Sequence, residues 1–457
     1  MMRSMFSGVS GLRAHQLKMD TIGNNIANVN TVGFKSQRAN FQEVFNQTLQ
    51  GAGSPQGGKG GTNPQQVGLG ISLSSIDTFQ IRGAVQRTDN PTDMAINGDG
   101  FFILSNDTSY LNRSYTRAGN FSLDQDGNLV ASNGYKVLGY MVDPTTKTLK
   151  SSLEGIKISK AESVPAQHST YANFEGNLDN SMAKITADPT FTDGGALIPP
   201  GPDTIDFPNG TKYWETTTTI YDSLGGQHNL KFTFVRGLDD TASVGDDNEW
   251  GVFIKDQDTG HYYLTDGSGD TATDPSEAVI GLKFDSSGNL DPSSVSSVIL
   301  KVPPKNGSEE TSLDVDFSKL TAFANESSAA VTAKDGYPQG ALDTFSIGPT
   351  GEINGIFTNG QNKVIGQIAV AAFKNPAGLE KTSENMYAVT PNSGEPIVGL
   401  PGTSGLGSLN PGTLEMSNVD ISREFAEMIT TQRGFQANSR IITTSDEMLQ
   451  ELVNLKR

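Results

Sequence analysis

From Ser417 to the last residue the chain contains no proline and a single interior glycine, Gly434, and its apolar residues return at alternating intervals of four and three. Ile421, Phe425, Met428, Gln432, Phe435, Ser439, Ile442, Asp446, Leu449 and Val453 trace the stripe, and seven of these ten are apolar. This is the spacing of a helix that packs along a coiled-coil seam. Ser417 and Asp420 read as a capping box at its start. A helix of about 35 residues is ~50 Å long, more than a globular core requires. The polar members Gln432, Ser439 and Asp446 make the stripe a weak zipper by itself.

The opposite end of the chain repeats the pattern. Met5, Val9, Leu12, Gln16, Met19, Gly23 and Ile26 follow the same four–three spacing, and the run ends among Asn24, Asn25, Asn28 and Asn30. Asparagine favours turns and helix ends. Ser7, Gly8, Ser10 and Gly11 would let a partner helix come close. Two matched stripes at the two ends of one chain suggest that the ends meet each other and identical ends of neighbouring chains. The candidate assembly residues are Met5, Val9, Leu12, Met19 and Ile26, with Ile421, Phe425, Met428, Phe435, Ile442, Leu449 and Val453.

Between the ends the pattern changes to β. Apolar or alternating runs of four to eight residues, such as 100–104, 230–235 and 364–370, are separated by Gly, Asn and Asp turns. A turn cassette recurs at 124–129, 285–290 and 348–353 and reads as hairpin turns. Residues 51–70 hold eight glycines and two prolines and read as a linker. Prolines at 199–200, 202 and 303–304 punctuate the centre.

Charge follows the same division. Residues 1–50 carry a net +3 and residues 418–457 a net −1, so the remaining middle carries −20 of the chain's −18. Near-neutral ends can pack against copies of themselves, and a strongly acidic middle prefers water. Nucleic-acid binding needs a basic stripe, which the chain lacks. The longest uncharged apolar-rich run lies between Lys363 and Lys374, about half of the ~20 residues a spanning helix needs, so no membrane insertion is expected. The N-terminal residues lack the continuous apolar core and cleavage site of a secretory signal. Cysteine is absent, which excludes disulfides and thiolate chemistry.

The catalytic and metal motifs fail on spacing. An EF-hand beginning at Asp124 would need glycine at its sixth position and glutamate at its twelfth, where Leu129 and Tyr135 stand. Residues 57–62 resemble a phosphate loop in composition without its spacing. The paired carboxylates Asp239–Asp240 and Asp246–Asp247 read as solvated loop residues rather than as a glycosidase pair. No enzyme activity and no cofactor is expected.

Five segments together resemble the bacterial flagellar rod and hook axial protein family. They are Ser10-Gly11-Leu12 with residues 22–35 (IGNNIANVNTVGFK), residues 63–70 (NPQQVGLG), residues 94–102 (MAINGDGFF), residues 115–121 (YTRAGNF), and Ser417-Asn418-Val419-Asp420 with residues 432–438 (QRGFQAN). They cover about the first 145 and last 130 residues in the family's order. The central insert, with residues 220–228 (IYDSLGGQH) and Asn248-Glu249-Trp250, resembles the outer domain of the family's hook-type members.

The resemblance implies a mainly β chain with terminal α-helices. The N- and C-terminal helices, 1–30 and 417–457, would pair as a coiled-coil-like inner domain. Residues 31–75 would connect it to a discontinuous all-β inner domain, 76–147 and 326–416. Residues 148–325 would form an all-β outer domain. It further implies a helical tubular homopolymer outside the cell that joins rod to filament as a flexible joint and transmits torque. The implied partners are the chain itself, the rod, the hook cap, the hook–filament junction proteins and the flagellar type III export apparatus, which needs no cleaved signal. A distal rod-type subunit and a secreted surface-binding β protein stay open as alternatives.

Overall fold

The computed structural model describes residues 2–55, 57–58, 60–143, 145–192, 204–260, 262–263, 279–305 and 307–454. The proline run at 199–202 lies outside the described residues. The chain divides into two compact units. The first comprises residues 1–160, 344–356 and 362–457, and the second residues 161–343 and 357–361.

In the first unit, helix α1 spans Met2–Ala27 and helix α2 spans Ile421–Asn454. The asparagines that end α1 close it chemically: the Asn28 side-chain amide donates at 2.9 Å to the Asn24 carbonyl, which also accepts the Asn28 backbone N–H at 3.2 Å. Asp420 caps α2, accepting the N–H groups of Ser422 at 2.9 Å and Arg423 at 3.3 Å. Ser417 is not part of that cap. Its hydroxyl accepts the Val419 N–H, before the helix begins.

Residues 31–75, expected to be a connecting linker, are mostly a long two-stranded ribbon. Gln37–Glu43 pairs antiparallel with Ile71–Thr78, and Asn46–Gln50 pairs with Gln65–Gly68. The glycine-rich stretch is its far end, where Gly53 and Thr62 exchange both backbone hydrogen bonds at 3.0 Å. Glycine content signalled a tip of β-structure, and the flanking polar strands were too weakly patterned to be read as strands.

The β body of this unit has Phe101–Ser105 near its centre. All five of those residues are buried, as their unbroken apolar run suggests. Lys136–Met141 and Arg113–Thr116 flank it, and the sheet continues through Asn362–Ile368 on one side and Met386–Ala388 on the other. Phe101, Tyr115, Leu138, Phe373 and Tyr387 form its core, with Phe373 edge-on to Tyr115 at 4.9 Å between centroids. The turn cassettes are hairpin turns. Gly127, Gly288 and Gly351 share a left-handed φ of 82°, 81° and 80°, and Asp124 accepts the Asn128 N–H at 2.6 Å.

The second unit is a sandwich of two four-stranded sheets. One is the antiparallel meander Tyr213–Tyr221, Gln227–Arg236, Glu249–Asp256 and Ile280–Lys283. The other orders Ser297–Val302, Thr311–Thr321, Tyr171–Asn177 and Ala330–Lys334, with Tyr171–Asn177 parallel to Thr311–Thr321. Phe232, Phe234 and Trp250 of the first sheet share one core with Phe174, Leu313 and Phe317 of the second.

The structure moves both expected boundaries of the insert. Glu154–Gly155 pairs with Lys136–Met141 and stays with the first unit, so the second begins at 161 rather than 148. Ala330–Lys334 pairs with Tyr171–Asn177, so the second unit runs on to 343 rather than 325. Hydrogen-bond pairing fixes these edges, and partner choice is not written in local composition.

Candidate assembly interface

Helices α1 and α2 lie antiparallel. Gly8 packs against Ile442, Gly11 against Asn438 and His15 against Gly434, Lys18 pairs with Glu427 at 3.3 Å, and the Asn25 amide donates to Glu424 at 3.2 Å. The approach is close because glycines sit on both sides. A methyl group at Gly11 would fall 2.6 Å from Asn438 Nδ2, and one at Gly434 would fall 2.6 Å from the His15 ring. Gly11→Leu should therefore force the pair apart and lower the helical signal of the isolated chain. Circular dichroism checks this, and an unchanged melting curve would contradict the contact.

The face that closes this pair is not the apolar stripe. On α1 it includes Gly8, Gly11 and Asn25, all buried, and the helix also buries Ala14 and Ile22. On α2 it includes the buried Thr431 and Ser445, between half-buried Glu424, Met428, Asn438, Ile442 and Leu449. Of the candidate residues, Met428, Ile442 and Leu449 border the contact, and Met5, Leu12, Met19 and Ile26 are half-buried. Ile421, Phe425, Phe435, Val453 and Val9 stay exposed, with Phe425 49% and Val453 68% accessible. Phe6, Leu17, Ile429, Ile441 and Met448 join them. Small residues mate within the chain, which leaves large apolar side chains on the outside of the pair.

Sequence reasoning missed a second feature. Where the helices meet the β body, a buried ion-pair knot ties together segments far apart in sequence. Lys35 Nζ contacts Glu415 Oε1 at 2.6 Å, with both side chains fully buried, and Arg117 reaches Glu415 Oε2 at 3.5 Å. Lys35 also donates to the Ile81 carbonyl at 2.9 Å, the Gly83 N–H donates to Glu415 at 3.0 Å, and Arg117 donates to the Gly98 carbonyl at 2.9 Å. Burial pushes the Lys35 amine below its ordinary range, against the pull of Glu415. Burial likewise lowers Arg117.

Asparagines and a glycine hold the surrounding loops. Asn25 exchanges two hydrogen bonds with the backbone of Gln37, at 2.8 and 3.0 Å. Asn418 accepts the Ser36 N–H at 2.7 Å and donates to the Phe79 and Ile81 carbonyls. Gly33, at φ 69°, donates to the Glu415 carbonyl at 2.8 Å, and a methyl there would fall 2.7 Å from Ala118 N. The motif segments 22–35, 115–121 and 417–420 thus converge on one place. Lys35 and Arg117 were visible as charges inside otherwise apolar or small-residue motifs. Nothing in the sequence marked Glu415.

Among the described residues no group of three or more metal-ligating side chains converges, and no helix is long and apolar enough to cross a membrane.

Four family profiles match the chain in order. They are the Flagella basal body rod protein at residues 5–35, the Flagellar hook protein FlgE/F/G D1 domain at 95–167, the Flagellar basal body protein FlaE D2 domain at 177–337 and the Flagellar basal body rod FlgEFG protein C-terminal at 410–455. The flagellar hook protein FlgE of Borreliella burgdorferi is 38% identical over 100% of both chains. Those of Treponema pallidum and Salmonella typhimurium are 36% and 32% identical, over 100% and 99% of this chain and 100% of each relative. Identity at this level along the whole length, with helical ends that close on small residues and present large apolar ones outward, shows that the chain belongs to the bacterial flagellar hook and rod protein family.

Proposed function

We propose that the chain is a structural subunit of the flagellar hook, built to polymerise with copies of itself into a helical tube. It is a structural protein and not an enzyme, as are the hook proteins it matches along their whole length. The observation that carries the polymerisation is the unpartnered apolar surface of the helical pair, including Phe6, Val9, Phe425, Ile429 and Ile441. Such surface on an elongated element drives association with like surfaces. Identical subunits joined by heterologous, non-closing contacts build a filament. In this reading the paired helices form the inner wall, and the acidic β units face water and slide as the tube bends under torque. The tube ends join the rod, the hook cap and the hook–filament junction proteins. The subunit reaches its extracellular place through the flagellar type III export apparatus.

Electron microscopy of the concentrated, purified chain tests this. Tubes or short helical fibres are expected, and a persistent monomer that binds a surface ligand would favour a surface-binding β protein instead. A distal rod-type subunit is less well supported, because hook proteins match at 38% and 36% identity, against 29% for the flagellar basal-body rod protein FlgG of Bacillus subtilis over 100% of both chains.

The insert unit gives a second test. Replacing residues 161–343 with a short Gly/Ser linker should leave export and tube formation intact, and the resulting hooks should lose their regular curvature. Micrographs of the deletion strain decide the matter. Normally curved hooks would reject a mechanical role for the insert, and exported, folded protein without hooks would make it part of the tube.

A further inference from the structure

Six Asn-Gly pairs occur in the chain, at 97–98, 133–134, 209–210, 306–307, 354–355 and 359–360. An asparagine followed by glycine is open to attack by the chain itself. The glycine backbone nitrogen has no Cβ beside it to block its approach to the asparagine side-chain carbonyl. The reaction needs a side chain free to turn back on the backbone and a glycine N–H that no carbonyl holds. The fold decides which pairs meet both conditions.

Four of the pairs are held. Asn133 accepts the Tyr135 N–H at 3.0 Å, and the Gly134 N–H donates to the Ala131 carbonyl at 2.9 Å. Asn359 accepts the Gln361 N–H at 3.1 Å and donates to the Pro338 carbonyl at 2.9 Å, while the Gly360 N–H donates to the Phe357 carbonyl at 2.8 Å. Asn354 and Gly355 lie inside the strand Glu352–Phe357, paired with Asn362–Ile368. Asn97 pairs with Ser408 at the end of the strand Met94–Asn97, and its side-chain oxygen accepts the Arg82 guanidinium. Asn306 lies outside the described residues.

Asn209 and Gly210 sit in an exposed turn of the second unit, between Thr204–Asp206 and Tyr213–Tyr221. The hydrogen bonds of this turn go through Thr211, whose N–H and hydroxyl both donate to the Pro208 carbonyl, at 3.1 and 2.8 Å. Among the described residues no hydrogen bond engages the Asn209 side chain or the Gly210 N–H. Gly210 has a left-handed φ of 96° and open space where a Cβ would stand. The root of the turn is firm, because Phe207 packs on Phe253 and Tyr213 at 5.5 and 5.7 Å between ring centroids. The tip is thus free to rearrange while the sandwich stays folded.

We propose that Asn209–Gly210 is a site of spontaneous covalent modification, at which the chain converts its own asparagine to aspartyl and isoaspartyl forms. The Gly210 nitrogen loses its proton and bonds to Asn209 Cγ, and the side-chain nitrogen leaves as ammonia, which closes a succinimide ring. Water then adds to one of the ring carbonyls, and the bond from that carbonyl to the ring nitrogen breaks. Opening at Cγ restores the backbone with an aspartyl side chain. Opening at the backbone carbonyl leaves an isoaspartyl link that runs through the side chain. Each event turns a neutral amide into a carboxylate, and the loss of ammonia makes it one-way.

Timed incubation of the full-length chain in mildly alkaline buffer, followed by digestion and mass spectrometry, tests this. Position 209 should convert about tenfold or more faster than positions 97, 133, 354 and 359, because each of those must first give up a hydrogen bond or a strand pairing. Both product forms should appear, each carrying an oxygen atom from isotopically labelled water. In denaturant the advantage of position 209 should largely disappear, since the fold no longer holds the other pairs. Asn209→Gln, whose longer side chain closes a ring far more slowly, should stay unconverted at that position. Conversion at 209 no faster than at 133 or 359, the same ranking in denaturant, or an aspartyl product with no isoaspartyl form would overturn the proposal.

Discussion

Phe425→Asp should abolish assembly and leave the isolated chain folded. The ring is 49% exposed on the outer side of α2, so the isolated chain gives up little when it is removed. Burial of such a ring between subunits contributes about 2 kcal/mol, and a carboxylate carried into the same place without a partner costs several kcal/mol more. The two effects act together at every subunit contact. The concentration needed for polymerisation should rise by about a hundredfold or more, since each 1.4 kcal/mol is a factor of ten. Phe435→Asp should behave alike, and Arg440→Ala, off the stripe, should be mild. Ile22→Asp makes the opposite comparison. Ile22 is a buried residue of α1, so that variant should already lose helix as a monomer. Sedimentation and electron microscopy read assembly, and circular dichroism reads the fold. Polymerisation of Phe425→Asp at the unmodified threshold would remove the stripe from the interface.

Glu415→Ala should be the most damaging single change in the first unit. It strands Lys35 and Arg117, both buried, without their shared counter-charge. Breaking a buried pair in this way costs about 3–5 kcal/mol. At roughly 2–4 °C per kcal/mol for a unit of this size, its unfolding transition should drop on the order of 10 °C. The transition of the insert unit should stay in place, because no member of the knot belongs to it. The double replacement Lys35→Met with Glu415→Met should be less harmful than Glu415→Met alone. It strands one buried cation, Arg117, instead of two. Scanning calorimetry with two resolved transitions measures both effects. Equal loss in the single and double variants would mean that the pair has no energetic coupling. The linkage also has a sign. Burial holds the Lys35 amine low, so the unfolded chain binds that proton more tightly. Raising pH toward the ordinary lysine value of about 10.4 should therefore favour the folded state.

How far the sequence could be read depended on the range of the forces involved. The terminal helices were legible because helix periodicity is local, and their limits at Ala27 and Ile421 fall within a few residues of the expected ones. The apolar stripe was legible too, but its partner was not. Counting apolar residues picks out Phe425 and Phe435, whereas intrachain closeness selects Gly8, Gly11 and Gly434, which carry almost no hydrophobic signal. The far half of the ribbon, Asn46–Gln50 with Gln65–Gly68, was missed because residues such as Gln47, Thr48, Gln65 and Gln66 give it almost no apolar alternation. The insert boundaries were displaced because Ala330–Lys334 looks like any other short strand until its pairing with Tyr171–Asn177 is known.

The two oppositely charged members at the centre of the knot stand 380 positions apart in the chain. A polypeptide that emerges amino end first carries Lys35 long before it carries Glu415. Until the last tenth of the molecule arrives, the lysine has no acid to meet, and α1 has no α2 to lie against. A chain cut short anywhere before residue 415 leaves the joint permanently open. The knot is therefore a length check: the base of the helical pair latches only in a molecule that extends past Glu415.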